Sequence, residues 1–260
     1  MNRSPAASGR PLVELLHTPP HPCDYLPGRE AVMQVAVPPA GASGHLLYEA
    51  LLERGFRRSG PHVYRPGCPG CRACLPVRIP VDRFRPSRAQ RRNLRRNADL
   101  SWRAVPGRPG EEHFRLYRRY LAARHPGGGM DEPTVVAYRD FLFAGWLPTV
   151  CYELRLRGRL LAVAVTDRLP CSLSAVYTFY EPEEARRGLG VHAVLRQVEE
   201  ARRLGLRWLY LGYWIRECRK MSYKGRYRPL EVLQAGRWRC LEAGPNRGGD
   251  ALQAAGDEAN

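Results

Sequence analysis

Long hydrophobic runs are missing from this 260-residue sequence, and lysine is almost absent from it. No run approaches ~20 apolar residues, so no segment is expected to span a membrane. No stretch has the continuous apolar core of a signal peptide, and we therefore expect a cytoplasmic protein. In that reducing compartment the eight cysteines are expected to be thiols that bind a metal or are buried, rather than disulfides.

Negative charge is scarce as well. The formal net charge is +17, from 42 Lys and Arg against 25 Asp and Glu, and nearly all of the cations are arginine. Such an excess indicates a polyanionic partner, for example nucleic acid. An arginine-rich genome would produce part of the same excess, so the positions of the arginines decide between the two interpretations.

One segment of the second half has the clearest pattern. Two apolar, β-branched runs at 159–169 and 172–180 predict paired strands. A glycine-punctuated turn at 181–190 then opens an amphipathic helix that ends at Gly205, and 206–212 predicts a buried strand. A Gly-x-Gly turn between a strand and a helix presents backbone N–H groups to an anion. This order resembles the core of the GNAT acyltransferases, which have an α/β fold.

Composition divides the chain into four predicted parts. The first and last are rich in small and polar residues and are expected to be disordered. The parts are a disordered N-terminus (1–11), an N-terminal domain with the cysteines and a basic helix (12–105), a GNAT-like acyltransferase domain (106–243) and a disordered tail (244–260). Within the second part, 77–81 is predicted to be an edge strand because Pro80 has no N–H to donate.

Three closely spaced cysteines form the densest chemical motif. Cys68, Cys71 and Cys74 stand in a C-x-x-C-x-x-C loop, which lets three thiolates converge on one centre. Cys23 is the best candidate for a fourth ligand, so the motif predicts a zinc ion or an iron–sulfur cluster. The alternative is a group of buried, reduced thiols.

A row of arginines follows on one face of a predicted helix at 86–100, with Ser87 as its N-cap. Like charges at this spacing repel each other, which favours a phosphate-binding face over a merely solvated one, although the solvated face remains the alternative. The row consists of Arg88, Arg91, Arg92, Arg95 and Arg96.

The turn at 186–190 is a weaker signal, since a lone Gly-x-Gly is often only a turn. Arg187, Gly188 and Gly190 are its candidates for binding an anion. The coenzyme A version of this fold has Arg or Gln three residues before the first glycine, where this chain has Ala185. We therefore expect no coenzyme A and a different anionic acyl carrier.

Aromatic and basic residues alternate at 210–229. Aromatic rings that stack on bases, set among cations that bind phosphates, are typical of single-stranded nucleic acid binding. The alternative is a buried aromatic edge with arginines lying along it. The aromatic residues are Tyr213, Trp214, Tyr223 and Tyr227, and the main cations are Lys220, Lys224 and Arg226.

These motifs together resemble the bacterial aspartate/glutamate leucyltransferases, relatives of the arginyl-tRNA–protein transferases. They occur in the family's order from about Cys23 to Trp238. The motifs are CDYLP (23–27), GFRRSG (55–60), YRPGCPGCRACLPVRIPV (64–81), SAVYTFYEP (174–182), the LG of RRGLG, YLGYWI (210–215) and CRKMSYKGRYRP (218–229). One departure is Gly188, where the family usually has serine.

The resemblance implies two GNAT-like halves and the transfer of leucine from leucyl-tRNA to proteins that begin with Asp or Glu, which marks them for degradation. Because an aminoacyl ester is already activated, positioning and oxyanion stabilisation can carry catalysis. Asp167, Tyr180 and Tyr223 are the catalytic candidates. Lys220 or Lys224 would meet the acidic side chain or the terminal phosphate.

Three other functions compete with this one. An arginyl-tRNA–protein transferase would use the same mechanism, and a small-molecule acetyltransferase would share the fold. A non-enzymatic RNA-binding protein with a metal site would explain the charge and the cysteines, but not the acyltransferase order of the second half. The sequence leaves the oligomeric state open.

Overall fold

The computed structural model describes residues 14–39, 42–124 and 133–241. Both termini that were predicted to be disordered, 1–11 and 244–260, lie outside these residues. Within the described ranges no helix has the length and apolar character needed to cross a bilayer.

Strands outnumber helices in the described part of the chain. In chain order the strands are β1 (Leu16–His17), β2 (His21–Pro22), β3 (Glu30–Ala31), β4 (Met33–Ala36), β5 (Arg57–Ser59), β6 (His62–Pro66), β7 (Leu75–Pro80), β8 (Ser101–Pro106), β9 (Thr149–Leu156), β10 (Arg159–Arg168), β11 (Ser172–Tyr180), β12 (Trp208–Trp214), β13 (Glu231–Gln234) and β14 (Arg237–Cys240). The helices are α1 (Ala42–Glu53), α2 (Arg88–Arg96), α3 (Glu111–Arg124), α4 (Val135–Leu142), α5 (Leu189–Arg203) and α6 (Arg219–Ser222), with 3₁₀ turns at Pro182–Arg187 and Tyr223–Arg226.

Eight strands form one mixed sheet in the order β14-β13-β7-β12-β11-β10-β9-β8. The pairing of β11 with β12 is parallel, and α5 makes the crossover between them. The other neighbouring pairs are antiparallel. Three antiparallel strands, a turn, a helix and a parallel strand are the order predicted for a GNAT-like core, so the predicted fold class is confirmed.

Helices cover both faces of this sheet, which explains why β10 is apolar on both faces from Leu160 to Val165. Val163 and Val165 pack with α3 and α4 on one face. Ala162 and Ala164, which alternate with them, pack with α5 on the other face. The result is a three-layer arrangement with the sheet in the middle.

β7 lies in the interior of the sheet, where the sequence predicted an edge. Ile79 lies opposite Leu209 of β12, and Val77 lies opposite Val232 of β13. Pro80 is the last residue of the strand, so its missing N–H removes no bond from the middle of the ladder. The edge prediction was wrong because the proline falls at the strand end.

The first third of the chain adds a second, smaller sheet in the order β1-β4-β6-β5. Helix α1 packs between this sheet and the large one, since Tyr48 and Leu52 share a core cluster with Val63 of β6 and Tyr210 of β12. Both sides of residue 105 contribute strands to the large sheet, and the division into domains at that residue stays a prediction.

Candidate active site

A gap opens between the two parallel strands of the large sheet. β11 and β12 pair only from Ser172 to Ser174, opposite Trp208 to Tyr210, and the rest of each strand has no partner in the other. Just beyond the last pair, β12 shifts register against β7 between Tyr210 and Gly212. Splayed strands of this kind leave polar backbone groups and space at the centre of a sheet, where a substrate can enter.

Two predicted catalytic tyrosines lie at the mouth of this gap. Tyr180 ends β11, and a side chain added at Gly190 would start 3.5 Å from its ring. Tyr223 is 40% exposed as a whole residue, and desolvation of its hydroxyl group by the surrounding protein, with the nearby Tyr180 as a second cause, raises its pKa to about 12. The Tyr223 phenol is therefore protonated at neutral pH and can donate a hydrogen bond.

The turn before α5 has the geometry of an anion-binding helix start. Gly188 adopts a left-handed conformation with φ of 63° and precedes the first helical residue, Leu189. An added Cβ at Gly188 would meet the Asn93 side chain at 2.9 Å. Both the dihedral angle and the space therefore require glycine, and the serine usual in the family would have to displace Asn93.

Amide side chains attach α2 to this turn and to the basic loop. Asn93 donates to the carbonyl oxygen of Arg187 (3.0 Å), and Asn97 donates to the same oxygen (2.9 Å). Gln90 donates to the carbonyl oxygen of Arg226 (3.3 Å). The sequence pattern did not predict this role for the amides, although they recur at three- and four-residue steps on one side of the helix.

The arginine face of α2 therefore points away from the protein, beside the turn and the loop. The predicted N-cap is present, because Ser87 and Gln90 form a capping box. Four of the five arginines are exposed and Arg92 is half-buried. Within the described residues no carboxylate forms an ion pair with any of the five.

Arg187 differs from these arginines, because it already has carboxylate partners. Asp99 accepts two hydrogen bonds from it, at 2.9 and 3.0 Å, and Glu184 accepts a third at 3.0 Å. Its charge is thus partly compensated within the protein, and its role in binding an anion stays a prediction. The neighbouring Arg186 is exposed instead.

The basic loop is only partly what the sequence predicted. Lys220 and Arg226 are exposed, as expected of residues that bind a ligand. Three of the four aromatic residues are buried and hydrogen-bonded or packed in the core, so they cannot stack on bases. These are Tyr213 (3% exposed), Trp214 (8%) and Tyr227 (1%). The buried aromatic edge, the alternative interpretation, is correct for all but Tyr223.

Lys224 is buried although it belongs to this loop. Its ammonium group donates to the carbonyl oxygen of Tyr213 at 2.7 Å and lies 3.5 Å from the Met221 sulfur. Burial is the main cause that lowers its pKa to about 7, and the charge of Arg57 is the second. Arg57 of β5, a residue that the sequence did not single out, therefore belongs to the same site.

Comparison with known proteins decides the family. A family model described as "Arginine-tRNA-protein transferase, C terminus" matches residues 112–234, and the corresponding N-terminal model matches residues 21–92. A protein of Chromobacterium violaceum named aspartate/glutamate leucyltransferase is 50% identical over 227 residues, which are 87% of this chain and 93% of the relative. One of the same name from Halorhodospira halophila is 52% identical over 235 residues, 90% of this chain and 99% of the relative.

The chain belongs to the aspartate/glutamate leucyltransferase family. This confirms the resemblance seen in the motifs and makes the chain an aminoacyltransferase, not an RNA-binding protein without catalytic activity. Two solved structures are also similar: L-PGS from Bacillus licheniformis (13% identity, 65% of this chain, 49% of that chain, TM-score 0.42) and an N-acetyltransferase region of a fungal β-N-acetylglucosaminidase (10%, 75%, 22%, 0.41). Both TM-scores are below 0.5, so the fold is read from the strand order of this chain alone.

Asp167 of this leucyltransferase-family chain is part of a buried ion pair. Its carboxylate is fully buried and accepts two hydrogen bonds from Arg58, at 2.7 and 2.9 Å. Thr149 donates a third at 2.8 Å. A carboxylate so enclosed has no access to a substrate, which contradicts its prediction as a catalytic residue. The sequence placed it at a strand end but could not show the arginine that covers it.

The four predicted metal ligands lie in one neighbourhood. Burial raises the pKa of Cys74 to about 12, and the nearby Cys23, Cys68 and Cys71 contribute. Cys68 contacts the backbone of Val32. Among the described residues, however, no three Cys, His, Asp or Glu side chains are arranged to hold a metal ion. The thiols as placed do not fit a zinc ion or an iron–sulfur cluster, and the predicted centre is not supported.

Proposed function

We propose that this chain transfers the leucyl group of leucyl-tRNA to the α-amino group of proteins that begin with Asp or Glu, and thereby creates a degradation signal. The observation that carries the proposal is the convergence of three basic elements on one gap in the sheet. Gln90 and Asn93 tie α2, whose outer face carries the arginines, to the loop at 219–226 and to the turn at 186–190, and Gly190 of that turn faces Tyr180 at the end of β11. The names of relatives at about 50% identity support leucine as the group and acidic residues as the acceptors.

The arginine face suits the tRNA. Exposed guanidinium groups without carboxylate partners bind phosphates through their charge and carry little sequence information. Because Gln90 and Asn93 tie α2 to the loop and to the turn, a backbone bound on this face would run directly to the gap. The 3′ end of the tRNA, which carries the leucyl ester, would then lie beside Tyr180 and Tyr223.

The chemistry needs little more than positioning. The neutral α-amine attacks the carbonyl carbon of the leucyl ester, a C–N bond forms, and the bond from carbon to the ribose oxygen breaks. The ribose oxygen leaves with the proton that the amine gives up. An α-amine has a pKa of about 7.7–8.0, so on the order of a tenth is neutral at pH 7 without a base. The Tyr223 hydroxyl can donate to the oxyanion that forms on the carbonyl oxygen.

A transfer assay with two donors and two acceptors tests the proposal. Purified protein is incubated with leucyl-tRNA or arginyl-tRNA and with a peptide that begins with Asp or with Ala. The mass of each peptide is then measured by mass spectrometry. We expect a gain of one leucyl residue on the Asp peptide alone. Transfer of arginine instead of leucine would assign the arginyl activity, and transfer of neither would overturn the proposal. A parallel reaction with acetyl-CoA tests the acetyltransferase alternative.

A further inference from the structure

Two cations lie buried in the gap without a counter-charge. Arg57 is 6% exposed and Lys224 is 7% exposed. In the described ranges no carboxylate lies within ion-pair distance of either side chain. The chain has only one other lysine, Lys220, and that one is exposed.

Both side chains converge on Gly212 from opposite halves of the chain. A Cβ added at Gly212 would lie 3.5 Å from Nε of Arg57 and 3.8 Å from Nζ of Lys224. Gly212 has φ of 83°, at the register shift of β12, so the strand places no side chain between the two cations. The space that separates them is kept open by the backbone itself.

Arg57 also spans the gap between the diverging strands. Its Nη2 donates to the carbonyl oxygen of Ala175 in β11, at 2.5 Å, while its Nε faces Gly212 in β12. Its Nη1 is buried and has no hydrogen-bond partner among the described residues. The pair therefore lies on the floor of the same gap at whose mouth Tyr180 ends β11.

Such an arrangement is costly without a ligand. Buried charges need a partner or must neutralise, and a buried donor without a hydrogen-bond acceptor destabilises the fold. The other titratable groups facing Lys224 are the thiols of Cys74 and Cys218. A destabilising arrangement of this kind is retained in a protein when it serves a function.

We propose that Arg57 and Lys224 together bind the side-chain carboxylate of the first residue of the acceptor protein, and so select Asp and Glu. This assignment rests on the proposed function. A carboxylate between them would supply the missing acceptor for Nη1 of Arg57 and the missing counter-charge for both. We assign this floor to a small planar group rather than to a tRNA phosphate, because the exposed arginines of α2 are the proposed ligands of the phosphates. The long lysine chain accommodates the extra methylene of Glu.

The test compares three variants with the wild type: Arg57→Gln, Lys224→Met and, as a matched loss of one exposed cation, Arg237→Gln. For each protein the Kd of a peptide that begins with Asp and of one that begins with Asn is measured by fluorescence anisotropy, with leucyl-tRNA affinity measured separately. We expect the wild type and Arg237→Gln to prefer the Asp peptide strongly. Arg57→Gln and Lys224→Met should each lose about 100-fold in Asp-peptide affinity, with the Asn peptide and leucyl-tRNA unchanged within about twofold.

Each other outcome has a distinct meaning. An unchanged Asp-to-Asn preference in folded variants would overturn the proposal. A loss of leucyl-tRNA affinity with that preference intact would also overturn it, and would assign the pair to a phosphate of the tRNA. Arg57→Lys keeps the charge and loses the planar fork, so it should retain part of the preference. If the wild type binds Asp peptides selectively but transfers no leucine, the proposed function fails and the carboxylate site stands.

Discussion

The amide of Asn93 donates to the carbonyl oxygen of Gly188 at 3.1 Å, and its nitrogen lies only 2.9 Å from the place that the Cβ of any other residue at position 188 would take. This contact is one of those that join the helix with the arginine face to the turn at the start of α5, and a change at either residue disturbs the other.

Gly188→Ala should separate these two elements. A left-handed alanine costs roughly 1–2 kcal/mol, and here the new methyl group must also displace Asn93. Gly205→Ala is the matched control, since Gly205 has φ of 68° and nothing within 4 Å of the added atom. We expect both variants to lose stability in urea denaturation, and Gly188→Ala alone to weaken leucyl-tRNA binding. Equal tRNA affinity in the two variants would show that the contact with Asn93 does not position α2.

Removing arginines from α2 should change the salt dependence of tRNA binding. Each lost phosphate contact is expected to flatten the log–log slope by about 0.7. Arg91→Ala with Arg95→Ala should therefore weaken all tRNAs about equally and lower the slope by about 1.4, as measured by filter binding between low and moderate salt. The exposed Arg237 on the edge strand β14 provides the control. An unchanged slope would show that these arginines contact solvent and do not bind phosphates.

Asp167→Asn should destabilise the protein without slowing the transfer step. Breaking a buried ion pair leaves the Arg58 charge uncompensated, at a cost of about 3–5 kcal/mol. Asp140→Asn changes an exposed pair with Arg139 and should cost less than about 1 kcal/mol. The measurements are urea denaturation and the single-turnover rate at low temperature. A rate loss of 100-fold in folded Asp167→Asn would return this residue to the catalytic set.

Lys224 should make stability depend on pH. The unfolded chain keeps the lysine proton up to pH 10.5, whereas the folded chain releases it above about 7. Unfolding therefore takes up a proton between these values, and the free energy of unfolding rises with pH in that window. Between pH 7 and pH 9 the wild type should gain about 1–3 kcal/mol relative to Lys224→Met. Arg57, Cys74 and Cys218 are the other ionisable groups that face Lys224, and they are present in both proteins. Parallel pH profiles would contradict the lowered pKa.

The two tyrosines at the mouth of the gap should act on the chemical step. Loss of an oxyanion donor typically costs about 100- to 1,000-fold in turnover. Tyr223→Phe or Tyr180→Phe should therefore lower the single-turnover rate while the affinities for leucyl-tRNA and for the Asp peptide are retained. Tyr152→Phe, which changes a buried tyrosine of β9 that stacks on Trp102 of β8, is the comparison. Full transfer by both mouth variants would leave positioning alone as the mechanism.

Local patterns predicted the central elements well. The strand predicted at 172–180 is β11, and the helix predicted after the glycine turn is α5. Both could be predicted because each depends on a repeat of apolar residues within a short stretch of the chain. The capping box at Ser87 is equally local. The family was predictable too, since its motifs occur in a fixed order along the chain.

Contacts between distant segments could not be predicted in the same way. The sequence shows an acid at Asp167 and an arginine at Arg58, but not that the fold encloses them together. It likewise shows aromatic residues beside cations, without showing that Tyr213 and Tyr227 face the core. Arg57 and Lys224 meet only because a strand of the first half lies against the gap of the second half.

The central place of β7 has a consequence for how the protein can be divided and made. Both of its neighbours, β12 and β13, are synthesised long after it. During synthesis on the ribosome, β7 therefore has no partner strand until almost the whole chain has emerged. A fragment that begins near residue 106 would lack this strand and expose the edges of β12 and β13 as sites for intermolecular pairing. Such a fragment should aggregate on its own and become soluble when residues 14–105 are co-expressed with it, as a split protein that reassembles around the missing strand.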